Sequence, residues 1–138
     1  MKATPVRSIT LVALFSLFAV SSHADATAHA QIIKERDAVL SEIVAYYESQ
    51  FPIGLGNEET LVPAQLALCS FRRDTAATIP EKIKQQKLIV QAHEKRLATV
   101  NVRVKNGLAT RLDILTATDV LLQAKQLLEE LKLSGKKE

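Results

Sequence analysis

Apolar residues recur every three or four positions along most of this 138-residue chain, which is the spacing of one face of an α-helix. Proline and glycine interrupt the pattern at "FPIGLGNEET" (51–60), at Pro80 and at "KNGLAT" (105–110). No stretch alternates apolar and polar residues with β-branched enrichment, so no strand is predicted. The pattern predicts an all-α fold of two antiparallel helical hairpins, with helices near 31–50, 61–77, 80–105 and 111–133.

The last of these helices carries a regular heptad pattern. Two interleaved series with seven-residue spacing form an a/d seam typical of coiled coils: Ile114, Ala117, Leu121, Ala124, Leu128 and Leu131. The preceding helix has a matching line at Ile83, Val90, Leu97 and Val104. Two such lines joined by a short break predict an antiparallel hairpin with left-handed, coiled-coil-like packing.

The break between these two helices contains residues that favour the end of one helix and the beginning of the next. Gly107 follows Asn106, and a glycine can take the left-handed conformation that closes a helix C-terminus without a Cβ penalty. Thr110 and Asp113 then form an S/T-x-x-acid start, with the threonine as cap and the acid near the positive helix end. We therefore predict a sharp turn with Gly107, Thr110 and Asp113 as its turn and cap residues.

Internal repetition supports two hairpins. Shifting the chain by 53 positions places residues 54–72 on residues 107–125, with four identical pairs: Gly54/Gly107, Leu55/Leu108, Ala64/Ala117 and Leu68/Leu121. Duplication explains this alignment, although two helix-turn-helix segments of similar composition can also match by coincidence.

The segment "GLATRLDILTATDVLLQAK", Gly107 to Lys125, resembles the repeat signature of TolC-type outer-membrane efflux proteins. The resemblance implies that Gly107 is the turn of a periplasmic hairpin, Asp113 its tip acid and the Leu/Ala seam its packing surface. It covers about 30 residues of the chain, and the hairpin from Glu81 to Lys132 is compatible with it. Family members are longer and add membrane-crossing strands, and some have a second acid where this chain has Thr116.

The N-terminus has the order of a cleavable secretory signal. Lys2 and Arg7 precede an apolar run from 9 to 20, and Ala24 or Ala30 ends a candidate cleavage site. This predicts a signal peptide at 1–24, or to 30, a helical domain at 31–133 and a flexible tail at 134–138. The alternative is an uncleaved anchor. The predicted location is periplasmic or secreted, with no integral membrane span after cleavage.

The charge and the cysteine content argue against three features: a nucleic-acid partner, an intrachain disulfide and a lipoprotein anchor. The net charge is +3, but removing Lys2 and Arg7 leaves 16 basic against 15 acidic residues, a net charge of +1. A nucleic-acid partner is not expected, because such domains concentrate basic residues on one face. Cys69 is the single cysteine and lies far from either cleavage site, so neither an intrachain disulfide nor a lipoprotein anchor is expected.

No residue pattern points to catalysis, a metal or a cofactor. His93 lacks the converging ligands of a metal site, and Asp113 and Asp119 fall on different helix faces. Cys69 lies between Leu68 and Phe71 in sequence, as a structural thiol would, and an enzyme is expected only if this thiol is reactive. Arg72, Arg73 and Asp74 are interpreted as a solvated helix end.

Two functions remain. The first is an exported helical interaction protein that resembles TolC hairpins and assembles with itself or with other envelope helices. The alternative is a soluble periplasmic four-helix bundle that binds a small apolar ligand. Tyr46, Tyr47 and Phe51 are interpreted as core, or as an aromatic wall for such a ligand.

Overall fold

A computed structural model describes residues 16–136, with side chains from residue 25 onward. It contains four α-helices: α1 Ser16–Gln50, α2 Glu58–Thr75, α3 Ile79–Lys105 and α4 Arg111–Ser134. No strand occurs in this range, so the predicted all-α fold is confirmed. The chain divides into two compact units, Met1–Glu35 and Arg36–Glu138.

Residues 1–15, with the basic start and half of the apolar run of the predicted leader, lie outside the described residues. Helix α1 already contains Ser16, the first described residue, so the start predicted near residue 31 is wrong. The stretch "SSHADATAHAQ" (21–31) contains no proline or glycine and is rich in alanine, the strongest helix former. No helix among the described residues is both long and apolar enough to cross a membrane.

Helix α2 begins earlier than predicted because Asn57 caps it. The Asn57 side chain accepts a hydrogen bond from the Glu59 backbone N–H at 2.8 Å, and Glu58 and Glu59 place negative charge in the first turn. Pro63 therefore lies inside α2 and not at a break. Its missing N–H removes one intrahelical hydrogen bond, the one that would reach the Glu59 carbonyl.

In the unit from Arg36 onward, α3 is the central helix. Helices α2 and α4 both pack against α3, and these two helices, described over their full lengths, do not approach each other closely. Polar pairs at two heights show that neighbouring helices are antiparallel. Residues 37 and 48 of α1 contact residues 72 and 65 of α2, and residues 59 and 73 of α2 contact residues 103 and 86 of α3. The core lies mainly between α3 and α4, with Leu66 and Cys69 of α2 packed against it; its buried members are Ile89, Val90, Leu121, Ala124 and Leu128.

Candidate functional site

The turn between α3 and α4 closes α3 with two backbone hydrogen bonds. Gly107 has a φ of +71°, and its N–H donates to the Val104 carbonyl at 3.0 Å. The next residue, Leu108, donates to the Arg103 carbonyl at 2.8 Å. This pair of bonds around a left-handed glycine is a Schellman motif. A Cβ at Gly107 would meet no atom within 4 Å, so backbone conformation, not space, favours glycine here.

Helix α4 begins with a reciprocal cap. The Thr110 hydroxyl accepts from the Asp113 N–H at 3.3 Å, while Asp113 Oδ2 accepts from the Thr110 N–H and hydroxyl, each at 2.7 Å. The backbone hydrogen bond from Thr110, followed by that of its hydroxyl, holds the pKa of Asp113 below its usual value. One carboxylate oxygen of Asp113 thus accepts both hydrogen bonds of the cap, and these bonds favour the charged form of the side chain.

The a/d residues of α4 face α3. Ala117, Leu121, Ala124 and Leu128 are buried, whereas Ile114 and Leu131, nearer the two ends, are half-buried. The two alanines sit between larger side chains and let the helices approach closely. The seam residues are therefore used for packing inside one chain.

A buried glutamine joins three helices at this packing. Gln86 of α3 is 1% exposed; its side-chain N–H donates to the Ala124 carbonyl of α4 at 2.8 Å, and its oxygen accepts from Arg73 of α2 at 2.9 Å. Sequence reasoning missed this residue. The available signal was its position three residues after Ile83 and four before Val90, where a heptad line continues through a polar residue.

Arg72 also corrects the interpretation of a solvated helix end. Its guanidinium makes two hydrogen bonds to the Asp37 carboxylate of α1, at 2.6 and 2.9 Å, and one to the Ser41 hydroxyl at 2.8 Å. The hydrogen bond from Arg72 is the main reason that the pKa of Asp37 lies below its usual value. Arg72 and Arg73 therefore connect α2 to α1 and α3.

A second apolar row runs along the side of α4 that points away from α3. Four leucines between 55% and 70% exposed form this row, called here the leucine face: Leu112, Leu115, Leu122 and Leu133. At 100° per residue they lie within about 80° of one another and roughly opposite the buried seam. Asp119 lies on the same side between Leu115 and Leu122, and Gln126 and Glu129 lie between Leu122 and Leu133. Among the described residues, the seam of α4 is packed against α3, whereas the leucine face is exposed.

A cleft of about 450 Å³ lies beside the turn, where the N-terminal ends of α2 and α4 stand apart across α3. Its apolar wall comes from all three helices: Val62 and Pro63, Val100, Ala117 and Val120. Its polar rim is formed by Glu58 and Glu59, His93, Arg96 and Arg103, and Asp113 and Thr116. The turn residue Asp113 and the seam residue Ala117 are thereby brought together at one site.

The other candidates from the sequence are dispersed. The thiol of Cys69 is half-buried and its burial raises its pKa, which disfavours the reactive thiolate. Tyr46 and Phe51 are exposed, so their interpretation as core is wrong. Within the described residues, no group of three His, Cys, Asp or Glu side chains is placed to hold a metal ion.

No protein-family model matches this chain, and comparison with curated proteins and with solved structures gave no match. The similarity of Gly107–Lys125 to TolC-type proteins therefore depends on those residues alone and stays a prediction.

Proposed function

We propose that this protein is a helical interaction protein of the cell envelope and that it associates through the leucine face of α4. The two-sided character of α4 carries this proposal. Full burial of a leucine side chain contributes about 1.5–3 kcal/mol, and the four leucines of this face keep more than half of their surface in water. The free energy gained by burying these four leucines is therefore available for association with another helix.

The proposed occupant of the leucine face is a second copy of the chain. Leu112, Leu115 and Leu122 follow the three- and seven-residue intervals of a heptad seam, and such a surface fits a helix with the same period. A second α4 offers that period, and a two-fold symmetric contact uses the same patch on both subunits and closes on itself. Asp119, Gln126 and Glu129 interrupt the leucines, and polar residues in a seam favour one register at a cost in affinity.

The assignment to the envelope is supported by the sequence. The basic start and apolar run before residue 21 favour export, and the resemblance of Gly107–Lys125 to TolC-type hairpins implies a periplasmic setting. In that setting the turn at Gly107 is the tip of the hairpin and the leucine face lies along its side. A helix of another envelope protein is the alternative occupant of the same face.

Light scattering coupled to size-exclusion chromatography tests the proposal. We compare the parent with a variant carrying Leu115→Glu and Leu122→Glu, which places two charges on the leucine face. Leu55→Glu is the matched control, because Leu55 is 73% exposed but lies between α1 and α2. The parent and the control should form a dimer, whereas the double variant should elute as a folded monomer.

If the parent stays monomeric up to a concentration of about 100 µM, any dimer has a dissociation constant weaker than that of stable complexes. This result contradicts self-association. A double variant that dimerises like the parent shows that another surface is used. In either case, photo-cross-linking from position 115 in intact cells shows whether a different envelope protein occupies the face.

A further inference from the structure

Gln86 and His93 lie seven residues apart on α3, so both belong to the same line of the α3–α4 contact. In an antiparallel pair of helices, seven residues forward on one helix correspond to seven residues backward on the other. Gln86 lies opposite Ala124, as its 2.8 Å hydrogen bond to the Ala124 carbonyl shows. The same step places His93 opposite Ala117, and both of these residues line the cleft. The α3–α4 contact thus repeats one arrangement, a polar side chain opposite a buried alanine.

The two polar side chains differ in their surroundings. Gln86 is buried, and both ends of its amide are hydrogen-bonded. His93 is half-buried at the edge of the cleft, and within the described part of the chain its ring makes no hydrogen bond. A neutral imidazole tolerates partial burial, whereas an imidazolium needs water or an acceptor for each of its two N–H groups. A proton on His93 therefore favours a position of the ring in water over a position in the contact.

The charged groups around His93 come from all three helices that line the cleft: Glu58 and Glu59 of α2, Arg96 and Arg103 of α3, and Asp113 of α4. Glu59 accepts a hydrogen bond from Arg103 at 2.7 Å, and Asp113 accepts those of the α4 cap. Arg96 lies within one turn of His93 on α3. Burial, and after it the positive charge of Arg96, lowers the pKa of His93. Although three carboxylates line the cleft, the folded arrangement thus favours the neutral ring.

We propose that His93 is an acid-sensitive release point in the α3–α4 contact. The neutral ring lies over Ala117, whereas the protonated ring turns into the cleft, where a volume of about 450 Å³ offers it space and water. Ala117 then loses its cover, and the first turns of α4, residues 111–120, loosen. The hydrogen bond between Gln86 and Ala124 contains no group that titrates near neutral pH, so that part of the contact stays closed.

This release point lies on the side of α4 that faces α3, away from the leucine face. It therefore does not depend on self-association, and a chain that stays monomeric would still contain it.

The direction of the pKa shift determines the pH range of the release. The folded-state pKa of His93 lies below the usual value of 6.5, so the stabilising effect of the neutral ring is present above pH 6.5. It is lost as the pH falls from there through the folded-state pKa. At about pH 5.5, one unit below the usual value, an opening equilibrium can rise by at most about tenfold. Carboxylates remain charged at that pH, so they do not contribute to the change.

Hydrogen exchange of individual amides in the full chain, at about pH 7.5 and about pH 5.5, tests this proposal after correction for intrinsic exchange rates. In the parent, the opening constants of amides 114–120 should rise about two- to tenfold at the lower pH, whereas those of amides 122–131 should stay unchanged. His93→Gln should remove this rise, because glutamine is neutral at both pH values and is the side chain already present opposite Ala124. His29→Gln is the matched control, since His29 is exposed on α1, and it should respond like the parent.

Parent opening constants that are the same at both pH values would overturn the proposal. An equal rise for amides 114–120 and 122–131 would also overturn it, because acid would then destabilise the whole contact and not the part at His93. A His93→Gln variant that keeps the rise, or a His29→Gln variant that loses it, would assign the titration to another group.

Discussion

The side-chain amide of Gln86 donates a hydrogen bond to the backbone carbonyl of Ala124 at 2.8 Å, inside the otherwise apolar contact of α3 with α4. Its oxygen accepts from Arg73, so this side chain fixes the positions of α2 and α4 on α3. Because its amide nitrogen and oxygen are both hydrogen-bonded, the Gln86 side chain costs little free energy to bury. With an apolar residue at this position, only side-chain packing would determine the register of the helices.

Gln86→Ala should destabilise the protein by about 1–3 kcal/mol, because it removes two hydrogen bonds and leaves a cavity. Gln86→Leu should cost less, since leucine keeps most of the volume and Arg73 retains its ion pair with Asp74. Urea unfolding of both variants measures the difference. Equal costs would show that the cavity contributes nothing and that the hydrogen bonds decide the stability.

Gly107→Val should destabilise the protein by about 1 kcal/mol or more, because a β-branched residue is strained at a φ of +71°. Gly107→Asn is the control, since asparagine tolerates the left-handed conformation better. Thermal melts of the two variants should therefore differ, with the asparagine variant closer to the parent. Superimposable melts of parent and Gly107→Val would contradict the role of this turn.

The two seam alanines should differ in their response to leucine. Ala124 is enclosed by the core, so Ala124→Leu overpacks it and should cost about 1–3 kcal/mol. Ala117 borders the cleft, which offers room for the added carbons, so Ala117→Leu should cost less. Urea unfolding compares the two, and an Ala117→Leu variant at least as destabilised as Ala124→Leu would show that the cleft does not accept the larger side chain.

The Arg72–Asp37 pair should make stability depend on pH in the acid range. The folded-state pKa of Asp37 is lowered, so its stabilising contribution is present above the usual carboxyl range near pH 4 and is lost as pH falls through the folded pKa. Asp37→Asn should reduce stability at pH 7 by no more than about 1 kcal/mol, the upper range for a solvent-accessible pair. The difference in unfolding free energy between the parent and Asp37→Asn should vanish at pH values below the folded-state pKa of Asp37.

Glu42→Gln serves as the control for this pH dependence, because Glu42 is exposed on the same helix. Its unfolding curves should follow those of the parent at each pH. A difference between parent and Asp37→Asn that persists at pH 2 would assign the effect to packing and not to the charge.

Local signals explain how much of this structure the sequence predicts. Helices α3 and α4 begin and end within about one residue of prediction, because Pro80, Gly107 and Thr110 determine the backbone through short-range sterics and capping. Glycine and proline predict helix boundaries less well where a capping residue lies nearby. Asn57 caps α2, so Pro63 lies inside that helix and not at its start.

The remaining features depend on contacts between residues distant in sequence. Gln86 and Ala124 are 38 positions apart, and nothing local to a glutamine shows that both of its ends will be paired. The cleft exists because α2 and α4 stand apart, which no pattern within one helix encodes. The leucine face is not predicted for a different reason. The heptad pattern predicts burial of the a/d residues of α4, and it gives no role to the other leucines of that helix.

Sedimentation velocity of Asp119→Leu tests most directly whether the leucine face self-associates. This substitution removes the charge between Leu115 and Leu122 and makes the row apolar from Leu112 to Leu122, so the dimer dissociation constant should fall about tenfold or more. Glu42→Leu is the control, because it replaces an exposed acid by leucine on α1, and it should leave that constant unchanged. If Asp119→Leu associates no more strongly than the parent, or if Glu42→Leu strengthens association equally, the leucine face of α4 is not the surface through which two copies meet.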